Sequence, residues 1–378
     1  LVIPIGKELH LSSLMLSYAL SASILAAAFG GVLFGVLSDK YGRKKVLQLT
    51  IIIYSVGAFL CAFSTNLETL ILFRIITGLG VGGEWATGQT YVNETFPSKF
   101  RGRFGAFLQT GNPVGLILAA LVGGLLAPVI GWREAFLVSV LPALIVIVIR
   151  RKIPESDLWL KNKKEATKSL KHKSNEFISL FLKPYRKPFL MALLLAILGS
   201  SAYWFTYSWL PTYLQGRGLS ITSSAMWIII NQIGGVLGLL SFGFIADRFG
   251  RRPAFSSFAL AMALGLVMIT LFWGNVAAYP PLIFIFMFII GVGTGIYGGF
   301  GPLVSELFPT RIRSTAMGSS FNLARGTQFL TPVLIALIGA QYGLGSGLFL
   351  GSIFALSVAL FIWAFPETKA IELEKLEK

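Results

Sequence analysis

The chain has a single cysteine, Cys61, and only two histidines, His10 and His172, in 378 residues. An internal disulfide is excluded, and little material is left for a zinc site. Neither a Walker A loop nor a Gly-x-Ser-x-Gly elbow occurs. Charge is scarce as well: 13% of residues are charged against 55% hydrophobic, and the mean hydropathy is +0.75. A soluble protein of this length needs far more polar surface. Soluble enzymes, disordered chains and outer-membrane barrels are therefore disfavoured. The start, Leu1-Val2-Ile3-Pro4, has neither an initiating Met nor a signal-peptide pattern.

Long apolar runs are what the chain does have. Eleven are read, at 14–37, 46–63, 67–90, 104–128, 132–149, 188–212, 223–246, 254–273, 280–304, 315–339 and 345–365. Each approaches the ~20 residues that cross a bilayer as a helix. The expected class is an all-α membrane protein. Of the 32 Lys and Arg residues, 27 fall in gaps on one side and three (Lys7, Arg133, Arg217) on the other. This bias predicts that the basic loops and the C-terminus face the cytoplasm, as in a multi-pass plasma-membrane protein. It explains the net charge of +16 without nucleic acid, which is not an expected partner.

The chain also repeats itself. Gly35-Val-Leu-Ser-Asp39-Lys-Tyr-Gly42-Arg43 recurs as Gly243-Phe-Ile-Ala-Asp247-Arg-Phe-Gly250-Arg251, 208 residues on. Glu94-Thr-Phe-Pro97-Ser-Lys-Phe-Arg101 returns as Glu306-Leu-Phe-Pro309-Thr-Arg-Ile-Arg313, and Pro154-Glu155-Ser156 as Pro366-Glu367-Thr368, both 212 residues on. Two similar halves are expected, at 1–149 and 188–365, joined by a basic cytosolic linker at 150–187 and followed by a cytosolic tail at 366–378. Ile3-Pro4 and Leu11-Ser12 match Leu210-Pro211 and Leu219-Ser220, which end and follow the second half's first helix. The first half's own first helix should therefore lie before Leu1, giving six plus six helices in the intact molecule with the first one missing here.

These residues resemble the major facilitator superfamily: two six-helix halves, a basic central loop, and the Gly-x-Leu-Ser-Asp-x-x-Gly-Arg-Lys loop. Pro154-Glu-Ser and Pro366-Glu-Thr-Lys369 look like the sugar porters. Gly82-Gly83-Glu84-Trp85, Gly131-Trp132-Arg133 and Trp209-Leu-Pro-Thr-Tyr-Leu214 are more similar to the organic-acid:proton symporters, which include sialic acid and aromatic-acid carriers. Gly111-Asn112-Pro113-Val114-Gly115 departs from the drug-antiporter signature. The resemblance implies a secondary active transporter that works by alternating access, with no cofactor and a proton gradient as driving force.

Ionisable groups inside a bilayer are costly and mark function by default. Three lie well inside the runs, away from their ends: Arg74, Glu84 and Arg325. Ten residues of helix separate Arg74 from Glu84 by ~15 Å, so they cannot pair. Glu84, after a run of glycines, is a candidate proton carrier, or a paired carboxylate that holds helices together. The resemblance makes Arg74 the fourth-helix arginine, whose acid partner in sugar porters stands on the first helix. Arg325 sits ~16 Å into its helix, near the midplane, and invites an anionic ligand unless it pairs with Glu84 or carbonyls.

Asn322, Gln109, Asn112, Asn231, Gln232 and Tyr297 are candidate polar substrate contacts, or else interhelical ties. Tyr203, Trp204 and Tyr207 start the second half's first helix, a cavity-lining position in this family. They could stack on a ring, or simply pack. Trp209 is expected to anchor at the bilayer interface. Asp39, Arg43, Glu94 and Arg101, with Asp247, Arg251, Glu306 and Arg313, are expected to form ion pairs that lock the halves and break on opening. The expected substrate is a small organic anion such as a sugar acid or an aromatic acid, carried with protons by a monomer in the lipid bilayer. A neutral sugar, with Arg325 purely structural, is the alternative.

Overall fold

Motif glycines end the long helices at the basic side. In the computed structural model, which describes residues 2–122, 127–168, 176–207, 210–218 and 221–377, helix α2 (Ser13–Tyr41) stops at Gly42 and α3 (Arg43–Cys61) starts there. Gly42 has φ of 108° and its counterpart Gly250 has φ of 112°, a left-handed region that side chains avoid. The stop at Gly250 separates α10 (Ile221–Phe249) from α11 (Arg251–Thr270). Before these, α1 (Val2–Glu8) packs Ile5 against Leu16 and Ala19. Helix α4 (Leu67–Thr95) begins with a capping box in which Asn66 and Thr69 satisfy each other's backbone N–H.

Three segments break at mid-depth. The run 104–128 is carried by α5 (Arg101–Gln109) and α6 (Gly111–Leu121), separated at Thr110. Helix α7 (Trp132–Arg151) follows, and α8 (Asp157–Lys168) lies in the linker. Helix α9 (Arg186–Tyr207) opens the second half. Beyond α11, α12 (Pro280–Gly293) passes through a 3₁₀ turn at Thr294–Ile296 into α13 (Tyr297–Ser305). Helix α14 (Arg313–Gly326) likewise passes through Thr327–Leu330 into α15 (Thr331–Tyr342), and α16 (Leu344–Phe361) closes the bundle. Tight turns of this kind inside a helix redirect its axis. Here they set Gln109, Tyr297 and Arg325 beside the breaks.

Among the described residues eight helices are long and apolar enough to cross a membrane. Their outward faces carry bare apolar side chains such as Phe29, Leu264, Leu337 and Leu360, as suits contact with lipid. Helices α2, α4, α5, α10, α13 and α14 meet across the seam between the halves. The second half has a phenylalanine-rich core around Phe242, Phe255 and Phe300. At the end away from the basic loops, Glu8 accepts hydrogen bonds from Trp132 Nε1 and Arg133 Nε, tying the first half's helix ends together. Those donors hold its carboxyl below the usual value. Trp209 and Lys171–Lys173 lie outside the described residues.

Candidate functional site

At the basic end, the ionic residues picked out by the repeat converge into two buried clusters. In the first, Arg43 pairs with Asp39 at 3.0 Å and Glu94 at 2.9 Å. Across the seam, Arg313 reaches Glu94 at 2.7 Å, and Arg43 Nη2 donates to the Thr310 carbonyl at 2.8 Å. The Asp39 carboxylate accepts from the backbone N–H of Ser314 (3.1 Å) and Thr315 (2.7 Å), and from the Thr315 hydroxyl (2.7 Å). It therefore caps the start of α14 in the opposite half, where unpaired N–H groups and the helix dipole favour an anion.

The second cluster repeats this with the halves exchanged. Arg251 pairs with Asp247 and Glu306, both at 2.8 Å, and Arg101 reaches Glu306 at 3.1 Å. Asp247 accepts from the backbone N–H of Gly102 and Arg103 at 2.9 Å each, capping α5. Arg43, Arg251 and Arg313 have no exposed surface. Charges so buried stay ionised only with this density of partners.

Four residues outside the expected set complete the clusters. Glu155 accepts from the backbone N–H of Arg43 and Lys44, and Glu367 from those of Arg251 and Arg252. Ser156 donates to Glu94 at 2.6 Å and Thr368 to Glu306 at 2.7 Å. A Cβ on Gly42 or Gly250 would strike the Glu155 or Glu367 carboxylate. The recurring Pro-Glu-Ser/Thr motif was the signal for them, and its pairing with the two glycines is what their three-dimensional placement adds.

At mid-depth, Arg325 is half-buried and close enough to Tyr203 and Tyr297 to act on both electrostatically. Among the described residues no ion pair or hydrogen bond engages its guanidinium. Tyr203 stacks on Tyr207 at 4.3 Å between ring centres and meets Trp204 and Tyr297 edge-on. One turn toward the basic end from Arg325, Phe321 stacks on Trp85 at 3.7 Å, and Trp85 Nε1 donates to Gln109 at 2.8 Å. This pair forms a floor beneath the arginine.

Other expected contacts lie elsewhere. Asn231 accepts from the Tyr207 hydroxyl at 2.6 Å and donates to the Met287 carbonyl at 2.9 Å, tying helices together. Asn322 donates to the Gly82 carbonyl across the seam at 3.3 Å, and the Tyr297 hydroxyl to the Gly199 carbonyl at 2.9 Å. Asn112 is exposed and Gln232 half-buried, and neither bonds another described residue. Glu84 faces the first half's interior, accepting from Thr50 Oγ1 at 3.0 Å. Arg74 lies over the Phe136 ring at 5.4 Å. The two are apart, as their spacing requires, and neither belongs to the Arg325 group.

Between described residues, the hydrogen bonds that join the halves lie at the basic end, with Asn322 to Gly82 at mid-depth. A recess of about 540 Å³ lined by Tyr213, Arg217, Tyr342 and Ser346 lies within the second half and shares no lining residue with the Arg325 group.

The Major Facilitator Superfamily model matches residues 1–318 and again 221–377. The sialic acid transporter NanX of Escherichia coli is 33% identical over 92% of this chain and 83% of its own length. The cis,cis-muconate transport protein of Acinetobacter baylyi is 28% identical over 91% of this chain and 83% of its own. Among solved structures, the proton:xylose symporter XylE bound to 6-bromo-6-deoxy-D-glucose aligns with a TM-score of 0.81 at 20% identity, over 100% of this chain and 93% of that one. That last likeness is one of fold.

Proposed function

The chain belongs to the major facilitator superfamily, and from that premise we propose that it carries a small organic anion across the membrane by alternating access, together with a proton. The observation that carries the reading is Arg325. A guanidinium at mid-depth, flanked by tyrosines and without an acid partner among the described residues, is stabilised by an anion that binds it through charge-assisted bonds. Relatives that transport sialic acid and muconate support a carboxylate as that anion. In this reading Tyr203, Trp204 and Tyr297 wall the bound acid, and Gln109, Asn112 and Gln232 offer polar contacts. Asn231 and Asn322 hold the helices that carry the wall.

The 27-to-3 distribution of basic residues supports a cytoplasmic basic side in the plasma membrane. With that side bolted by the ion-pair clusters, the conformation is outward-facing. We assign proton coupling to Glu84, a carboxyl within α4, and to Arg74, which stands apart from it over the Phe136 ring. In the cycle the acid binds at Arg325 from outside and a proton is taken up. The clusters at Asp39 and Asp247 then release their helix starts, and the cargo leaves inward. The protein acts as a monomer and needs only the gradient.

Uptake into proteoliposomes, with and without an inward proton gradient, tests the proposal. Sialic acid, an aromatic acid and a neutral hexose form the panel. Gradient-driven uptake of an acid that is abolished in Glu84→Gln is the expected result. Hexose uptake indifferent to the gradient would replace the symporter with a facilitative sugar carrier.

A further inference from the structure

Below the Trp85–Phe321 floor, the seam between the halves contains polar side chains whose bonding is incomplete. Gln89, one turn on from Trp85 along α4, is fully buried. Its Nε2 donates to the Gly105 carbonyl at 3.2 Å, but among the described residues its Oε1 has no partner. One turn further, Asn93 is also fully buried, and neither Oδ1 nor Nδ2 is bonded to a described residue. Across the seam, on α13, the buried Ser305 hydroxyl likewise has no partner among the described residues.

These groups are pressed against backbone. A Cβ on Gly301 would strike Gln89 Oε1 and lie 3.3 Å from Asn93 Nδ2, and one on Gly105 would lie 3.3 Å from Asn93 Oδ1. Buried polar atoms are nearly always bonded, because leaving them dry and unpaired is destabilising. Three atoms of Gln89 and Asn93 without a partner among the described residues, packed against α13 between Arg325 and the ion-pair clusters, have a physical account if this layer is dry in only one of two conformations.

We propose that Gln89 and Asn93, with Ser305 opposite, form a second polar station on the route from Arg325 to the basic side, hydrated and open to the substrate's carboxylate only when the halves part there. The inference rests on the transport reading. It adds where the acid goes after it leaves Arg325. The amide N–H groups and the hydroxyl are donors suited to a carboxylate. Unpaired in the closed state, they also bias the equilibrium toward opening.

The test uses the full chain. Asn93→Leu keeps a similar shape and removes no side-chain hydrogen bond. It is expected to raise the unfolding temperature of the detergent-solubilised protein and to slow acid release to the basic side ~10-fold, with acid binding from the outer side no weaker. A lower unfolding temperature with unchanged release would overturn the proposal. Should that variant not fold, Asn93→Cys in a Cys61→Ala background carries the test. A thiol reagent applied from the basic side is expected to label it faster during acid transport than without acid. Labelling that never exceeds the Cys61→Ala background would overturn the proposal equally. If no acid drives transport in the parent protein, the symporter reading fails, while the unfolding temperature still reports on the unpaired amide.

Discussion

The basic end and the centre of this molecule treat its internal repeat in opposite ways. At the basic end the parts correspond: Arg43 holds Asp39 and Glu94 as Arg251 holds Asp247 and Glu306, and each Asp caps a helix start in the other half. At mid-depth the correspondence fails. A shift of 212 residues takes Arg101 to Arg313, but it takes Pro113 to Arg325, Trp85 to Tyr297 and Gln109 to Phe321. Both halves share the parts that close the seam. Only one supplies the cation at the site. A common motion can thus be kept while the cargo is set by residues that the other half does not constrain.

Removing the acid at the heart of either cluster is the strongest way to break this comparison. Glu94→Ala takes a carboxylate from Arg313 and from Arg43, which keeps Asp39, and Glu306→Ala takes one from Arg101 and from Arg251, which keeps Asp247. Each should cost the closed state ~3–5 kcal/mol, the range for breaking buried pairs by removing one partner. Thermal unfolding should fall by similar amounts in the two variants. A large difference would end the equivalence of the clusters.

The hydroxyls beside those acids give a finer comparison. Ser156→Ala and Thr368→Ala each delete one hydrogen bond to a buried carboxylate, worth ~1.5–3 kcal/mol. Both unfolding midpoints should fall, that of Ser156→Ala by more, since its hydroxyl also accepts from the Trp159 backbone N–H.

Close approach comes next. A Cβ on Gly35 would lie 2.6 Å from the Ser314 carbonyl oxygen, and one on Gly243 would lie 2.7 Å from the Arg103 Cα. Alanine at either site should push a capped helix start away and destabilise the closed state by ~1–3 kcal/mol. Gly111→Ala meets nothing within 4 Å, and should be neutral or slightly stabilising through helix propensity. Basic-side thiol accessibility separates the three: it should rise for the first two and stay unchanged for the third.

The smallest effect is expected where a charge pair lies outside the seam. Lys161 and Glu374 bridge linker and tail at 3.0 Å with both side chains about two-thirds exposed. Such pairs are screened by solvent, so Lys161→Ala should leave unfolding and uptake unchanged. A measurable loss would show that the linker takes part in closing the seam.

The clusters were legible because a repeated motif survives in the letters. Asp39, Arg43, Glu94 and Arg101 all have partners at nearly one spacing. Their targets were not, since the Ser314 and Thr315 N–H groups that Asp39 caps are ordinary backbone donors. The centre was harder for a different reason. A helix apolar on every side carries no written face, and one residue of rotation turns a side chain by about 100°. Trp85 therefore faces Phe321 across the seam while its neighbour Glu84 faces Thr50 within the first half. Asn231 and Asn322, candidates for substrate contacts or for interhelical ties, bond across helices. Depth along its helix and the lack of an acid there mark Arg325 as a candidate for an anion.

The central claim is that Arg325 binds a carboxylate, and the most direct measurement is equilibrium binding of an acid against its uncharged amide. Purified protein and Arg325→Gln would be titrated with both forms of whichever acid is transported. The unaltered protein is expected to prefer the acid by ~10- to 100-fold, the range for hydrogen bonds to a charged group, and Arg325→Gln is expected to bind the two forms alike. Equal affinities in the unaltered protein, or an acid preference that survives Arg325→Gln, would contradict it.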